Sequence, residues 1–132
     1  MFLWFNLSPP IIMTIGYGGK KPDLFFQELL SLEPDIVVDV REDPYHAYLG
    51  VYTLPFLEKK LKGKYIWIKE LGNKTRSLPP KLVDEDIGIK KLLELLATHR
   101  RVVLLCAEKK EDNCHRKYIK EKVLDILNSN EK

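Results

Sequence analysis

The chain has 132 residues, of which 45% are hydrophobic and 31% charged, and its formal net charge is +3. This size and balance fit one globular domain with an ordinary core. They exclude a transmembrane span, and a charge of this size is not by itself a nucleic-acid signature.

The longest apolar stretch is N-terminal, MFLWFNLSPPIIM, and Asn6, Ser8, Pro9 and Pro10 interrupt it. It lacks a positively charged leader and a small-residue cleavage site, so it does not read as a signal peptide. Residues 1–12 read as an extension, an extra edge segment or an over-long gene start, and 13–128 as a single α/β domain. Lysine and glutamate dominate the charges and Gln27 is the sole glutamine, a composition that leans towards a thermophilic source. Two cysteines without a secretion signal suggest a reducing compartment, with thermophiles as the exception.

The elements then follow in order. MTIGYG (13–18) is a short apolar run closed by glycine, hence a buried strand and turn. PDLFFQELLSL (22–32) places Leu24, Phe25, Leu29 and Leu32 at helical spacing, opened by Pro22 and ended by Pro34. DIVVDV (35–40) is a β-branched run and reads as a second buried strand. A loop with three tyrosines (42–53) leads to a short helix, LPFLEKKLKG (54–63), closed by Gly63. KYIWIKEL (64–71) alternates as a third strand, and 72–82 is loop. IGIKKLLELLATH (87–99) is amphipathic, with Ile89, Leu92, Leu93 and Leu96 on one face. RVVLLCA (101–107) is a fourth buried strand, and CHRKYIKEKVLDILN (114–128) is the last helix, capped by Asp112 or Asn113.

Strands alternating with helices imply parallel pairing and a layered α/β fold: a mostly parallel sheet of four or slightly more strands with flanking helices. Ligands of such sheets bind beyond the carboxyl ends of the strands. Those ends carry Gly16, Tyr17 and Gly18, then Asp39 and Arg41, then Gly72 and Asn73, then Cys106 and Glu108.

Asp39 and Arg41 bracket Val40, so their side chains share a face. A buried carboxylate needs a partner, and Arg41 is the candidate. The pair reads equally as a structural ion pair or as part of an anion site. At the start of the last helix, Cys114, His115 and Arg116 meet free N–H groups and a positive dipole end, which lower a thiol pKa and equally bind phosphate or sulfate. His115 and Arg116 share the sheet-facing side and point to the rim.

CAEKKEDNCHR (106–116) holds both cysteines. Cys106 fits a small buried hydrophobe. A disulfide to Cys114 requires their Cα atoms to lie within about 7 Å. Zinc would use Cys106, Cys114 and His115 with His46 or His99, but the spacing matches no common zinc pattern. The strand–Cys–loop–helix order resembles rhodanese and cysteine-phosphatase sites. Against a nucleophilic Cys106, the loop KKEDN has no glycine and two acids, a poor oxyanion cradle.

TIGYG (14–18), DVREDP (39–44), YIWIKELGN (65–73) and LLCAEKKEDNCHR (104–116) resemble, in order, motifs of the uncharacterised family called domain of unknown function 488. The resemblance covers about residues 13–125 and implies a small α/β protein of prokaryotic, cytoplasmic type, with no established reaction. Its pattern falls on Gly16, Asp39, Arg41, Pro44, Leu71, Gly72, Cys106, Glu108, Cys114, His115 and Arg116. Two positions depart from it: Gly18, where relatives commonly carry Ser or Thr, and Asn73, where they commonly carry a second glycine.

These residues lead to an enzyme or enzyme-like protein for an anionic, phosphate-containing small molecule, with no cofactor or metal. Arg41 and Arg116 would hold the anion beside Gly16 and Tyr17. His115 would transfer protons, Glu108 would orient His115 or balance Arg41, Asp39 would support the site, and Cys114 would be a secondary nucleophile. One alternative is rhodanese-like thiol chemistry. Another is a nucleic-acid-binding or regulatory module, in which Lys62, Lys64, Lys69, Lys74, Arg76 and Lys81 with Tyr65 and Trp67 grip phosphates and stack bases.

Overall fold

The computed structural model describes residues 9–75 and 77–130. Strand β1 (Ile11–Gly16) is followed by α1 (Pro22–Ser31), β2 (Ile36–Asp39), α2 (Leu54–Lys60), β3 (Tyr65–Trp67), α3 (Glu85–Leu96), β4 (Arg101–Cys106) and α4 (His115–Asn130). The four strands form one parallel sheet in the order β1-β4-β2-β3. The layered α/β fold expected from the alternation is therefore present.

Period-two burial builds the layers. On β4, Val102, Leu104 and Cys106 face one side, where Ile89, Leu92 and Leu96 of α3 and Ile119 and Val123 of α4 cover them. Val103 and Leu105 face the other, against Phe25 and Leu29 of α1 and Leu57 of α2. β2 splits likewise, with Ile36, Val38 and Val40 towards α3 and α4, and Val37 towards α1 and α2. A strand buried on both faces needs apolar residues at every position, which is why β2 and β4 read as continuous apolar runs.

Element limits differ from the sequence reading where non-local contacts decide. Ile11 and Ile12, read as part of an extension, are the first residues of β1 and pair with Arg101 and Val102. Residues 1–8 of that segment lie outside the described residues. β3 stops at Trp67 because the chain turns at Lys69–Leu71 into a 3-10 turn that buries Leu71. α3 starts at Glu85, two residues earlier than expected, because the Asp84 carboxylate accepts from the backbone N–H of Ile87 at 3.2 Å. α4 starts at His115. Glu111–Asn113 forms a separate 3-10 turn and Cys114 stays extended (φ −128°, ψ 145°), so neither Asp112 nor Asn113 caps the helix. No helix among the described residues is long and apolar enough to cross a membrane.

Candidate functional site

The sheet register places Gly16 beside Cys106 and Asp39 beside both Leu105 and Trp67. The chemistry-bearing strand ends thus meet at one rim. They leave it on opposite faces: Asp39 and Arg41 towards α1 and α2, Cys106 towards α4. Val40 lies between the two groups.

On the first face Arg41 closes on Asp39 through Nε to Oδ1 (2.9 Å) and Nη2 to Oδ2 (2.6 Å). Its Nη1 donates to the Tyr52 carbonyl (2.7 Å) and to the Tyr17 hydroxyl (3.2 Å). Tyr65 donates its hydroxyl to Asp39, and Trp67 Nε1 donates to the Arg41 carbonyl at 2.8 Å. Tyr17 stacks on Tyr52 with centroids 4.5 Å apart. Burial depresses the Arg41 pKa, and the hydrogen bond and charge of Asp39 more than reverse this, so the group stays a cation. Burial, then the Asp39 charge, pushes the Tyr65 hydroxyl well above its ordinary value.

On the second face the sulfurs of Cys106 and Cys114 are joined as a disulfide, with Cα atoms 7.4 Å apart, slightly beyond the separation of about 7 Å expected from bond geometry. His115 lies beside them, its Nδ1 3.6 Å from Cys114 Sγ. Its Nε2 lies 2.6 Å from the Val40 carbonyl. A carbonyl only accepts, so Nε2 carries the proton and the Nδ1 lone pair faces the sulfur. Burial lowers the His115 pKa and so favours the neutral ring, and the Val40 hydrogen bond opposes this only in part. Arg116 Nη1 donates to Cys106 Sγ (3.1 Å) and to the Glu108 carbonyl (2.8 Å), and Nη2 to the Lys109 carbonyl (3.2 Å).

A cavity of about 290 Å³ opens over both groups. Its walls include Tyr17, Arg41, Cys106, Cys114, His115 and Glu108, with Glu42, Asp43, His46, Asn73, Ser77 and Leu78 at the loops. Tyr17, Arg41, Glu108, Cys114 and His115, all singled out in the sequence, are thus brought together, and Asp39 sits behind Arg41 as a support.

Arg116 and Gly16 are placed differently from expectation. Arg116 is buried and its guanidinium fastens the 108–109 loop rather than facing Arg41 across a cradle. Gly16 is a packing glycine: a Cβ there would lie 1.6 Å from the Glu108 carbonyl oxygen. At Gly18 a Cβ would come 2.7 Å from the Ala107 carbonyl oxygen, so the loop after β4 packs directly against this glycine.

Asn73, which the sequence places at the rim as a departure from the family pattern, carries no role in the sequence reading. Its Oδ1 accepts from the N–H of Lys81 (3.0 Å) and of Thr75 (3.3 Å), and its Nδ2 donates to the Ser77 carbonyl (3.0 Å). This shapes the 73–81 wall of the cavity. An Asn at a strand end before a Thr-Ser-Pro loop was the available signal.

A family model described as "Domain of unknown function DUF488" matches residues 21–123. Comparison with curated proteins and with solved structures gives no match.

Proposed function

The chain belongs to the family described as domain of unknown function DUF488, and from its rim cavity we propose a small enzyme of thiol–disulfide chemistry that takes a low-molecular-weight thiol bearing an anionic group. The observation that carries this reading is the Cys106–Cys114 disulfide in the cavity wall, flanked by the His115 Nδ1 lone pair and an Arg116 N–H on Cys106 Sγ. Thiol exchange needs a base for the incoming thiol and a stabilised leaving thiolate, and these two contacts supply them.

In the forward direction His115 takes the proton of the incoming thiol. Its sulfur attacks Cys114 Sγ, the Cys106–Cys114 bond breaks, and the Cys106 thiolate leaves onto the Arg116 N–H. A second substrate thiolate attacks the substrate sulfur of the mixed disulfide, which releases the substrate disulfide and Cys114. Two substrate thiols become one disulfide, and their two protons end on Cys106 and Cys114. A disulfide of another small thiol reoxidises the pair by the reverse steps.

Arg41 lines the wall and in this reading sits beside the substrate's anion, although its guanidinium is closed on Asp39 and its charge is shared with that carboxylate. The carboxylates of Glu42, Asp43 and Glu108 at the mouth favour a substrate that also carries an ammonium group, as an amino-acid thiol does. The nucleic-acid alternative has less support. Tyr65 and Trp67 are committed to Asp39 and the Arg41 carbonyl, so they are poorly placed to stack bases.

The test is to mix the oxidised folded protein with excess cysteine or the neutral thiol mercaptoethanol and to count newly alkylated protein cysteines by mass spectrometry. Two alkylated cysteines, formed faster with cysteine, are expected. Two cysteines that stay unalkylated in the folded protein would reject the reading.

A further inference from the structure

Sulfur and nitrogen donors converge on one point of the cavity wall. One ligand atom each from Cys106, Cys114 and His115 lies within 4.8 Å of the others, and all three residues are buried. We propose that the reduced protein binds one Zn²⁺ through Cys106 Sγ, Cys114 Sγ and His115 Nδ1, with the fourth position open to the cavity. The inference rests on the reading above only in requiring that the cysteine pair exist as free thiols.

Geometry supports a tetrahedral ion. Zn–S bonds of about 2.3 Å and Zn–N bonds of about 2.0 Å give a sulfur–nitrogen edge of about 3.5 Å. Cys114 Sγ and His115 Nδ1 are 3.6 Å apart. The same bond lengths require two thiolates about 3.8 Å apart. The Cα separation of 7.4 Å lies beyond the usual range for a disulfide, about 4.4–6.8 Å, and leaves room for the sulfurs to part on reduction.

The surroundings also suit a metal. A metal-bound histidine ordinarily donates its other N–H to a carbonyl or carboxylate, which fixes the tautomer and aims the lone pair. His115 Nε2 does this to the Val40 carbonyl at 2.6 Å. Arg116 Nη1 hydrogen-bonds Cys106 Sγ, and Glu108 and Glu111 offset its charge. Two thiolates neutralise the divalent ion.

Neither histidine suggested by sequence as a fourth ligand belongs to the three-donor cluster, although His46 lies on the cavity wall. His46 Nδ1 pairs with Asp43 at 2.7 Å, and His99 Nδ1 lies 2.9 Å from the Leu95 carbonyl. Three protein ligands with an open fourth position are the pattern of a zinc site that admits water or substrate. Oxidation to the disulfide removes two ligands, so the corner holds either a disulfide or a zinc ion. Zinc then stabilises the dithiol form by mass action.

The experiment uses protein unfolded in denaturant with reductant, refolded without oxygen, and shown to carry two thiols. It is titrated with Co²⁺ as a spectroscopic stand-in. One equivalent should give the visible bands of tetrahedral cobalt and a sulfur-to-cobalt charge-transfer band, both erased by Zn²⁺ and both absent from the oxidised protein. Cys106→Ser, Cys114→Ser and His115→Ala should each weaken Co²⁺ binding by at least about tenfold, and His99→Ala should not. X-ray absorption at the zinc edge of the wild-type protein tests the ligand set without any variant, and should show two sulfurs and one imidazole nitrogen. Reduced protein without the cobalt bands, or an edge spectrum without sulfur, overturns the proposal. Cobalt bands in a protein whose folded disulfide resists exchange reject the enzymatic reading alone; exchange without bands rejects the metal site alone.

Discussion

Arg41 grips Asp39 through two nearly parallel hydrogen bonds, Nε to Oδ1 and Nη2 to Oδ2, and both side chains are shielded from solvent. The pair is a fixed part of the rim: Tyr17, Tyr52, Tyr65 and Trp67 are all bonded to it. Asp39→Asn keeps the shape and removes the charge, leaving a buried guanidinium uncompensated. It should lower unfolding free energy by about 3–5 kcal/mol in urea denaturation. A loss below about 1 kcal/mol would show that water reaches Arg41.

Gly16 is the point where β1 touches the loop after β4. Gly16→Ala drives a methyl group into the Glu108 carbonyl, 1.6 Å from its Cβ position, and that carbonyl is backbone. The loop must move and loosen its hydrogen bond to Arg116. The expected cost is about 1–3 kcal/mol, read by thermal denaturation, with faster alkylation of the reduced cysteines as the loop lifts.

Arg116→Lys retains charge but replaces a planar donor fork by one ammonium. The wild-type side chain serves Cys106 Sγ and the carbonyls of Glu108 and Lys109 together. The variant should lose about 1 kcal/mol of stability, because the part-buried carbonyls of Glu108 and Lys109 lose their shared donor. Thiol exchange should slow as well, since the leaving Cys106 thiolate loses its donor. Unchanged exchange in a folded variant would remove Arg116 from the chemistry.

Asp35, Glu70 and Asp112 are carboxylates held below their ordinary pKa, and Asp35 is the one held by two backbone N–H groups. Asp35 Oδ2 accepts the N–H groups of Arg101 and Arg100, each at 2.9 Å. The Arg101 hydrogen bond first, then that of Arg100, holds its pKa below the ordinary 3.8. A depressed folded pKa gives stability that is present above the unfolded value and lost as pH falls through the folded one. The melting temperature should therefore fall as pH drops below about 4, and Asp35→Asn should flatten that fall. Parallel slopes for the two proteins would show that other carboxylates dominate.

Much of this architecture is legible along the chain. IVVD and VVLL are buried strands because a parallel strand covered on both faces needs an apolar side chain at every position. The pairing of Asp39 with Arg41 follows from strand periodicity, because residues two apart share a face. The start of α4 was less legible. Asp112 and Asn113 have cap chemistry, yet the 3-10 turn at Glu111–Asn113 and the extended Cys114 set the helix one step later. That step turns Cys114 Sγ towards Cys106. β1 likewise begins before the glycine-rich motif, because its limits are set by β4, some ninety residues away.

The sequence by itself determined the layers, the parallel pairing and the collection of polar residues at one end of the sheet, since these depend on residue periodicity and local turn chemistry. Only the tertiary structure decided how that end is divided. The parity of β4 sends Cys106 towards α4, while that of β2 sends Asp39 and Arg41 to the opposite face. Arg116 looks like a substrate ligand in the sequence, but the loop carbonyls of Glu108 and Lys109, held close by the bare Cα of Gly16, claim its donors first. His115 then turns to the Val40 carbonyl and aims its free nitrogen at two sulfurs. Such choices depend on distances between residues far apart in the chain, which pattern alone does not encode.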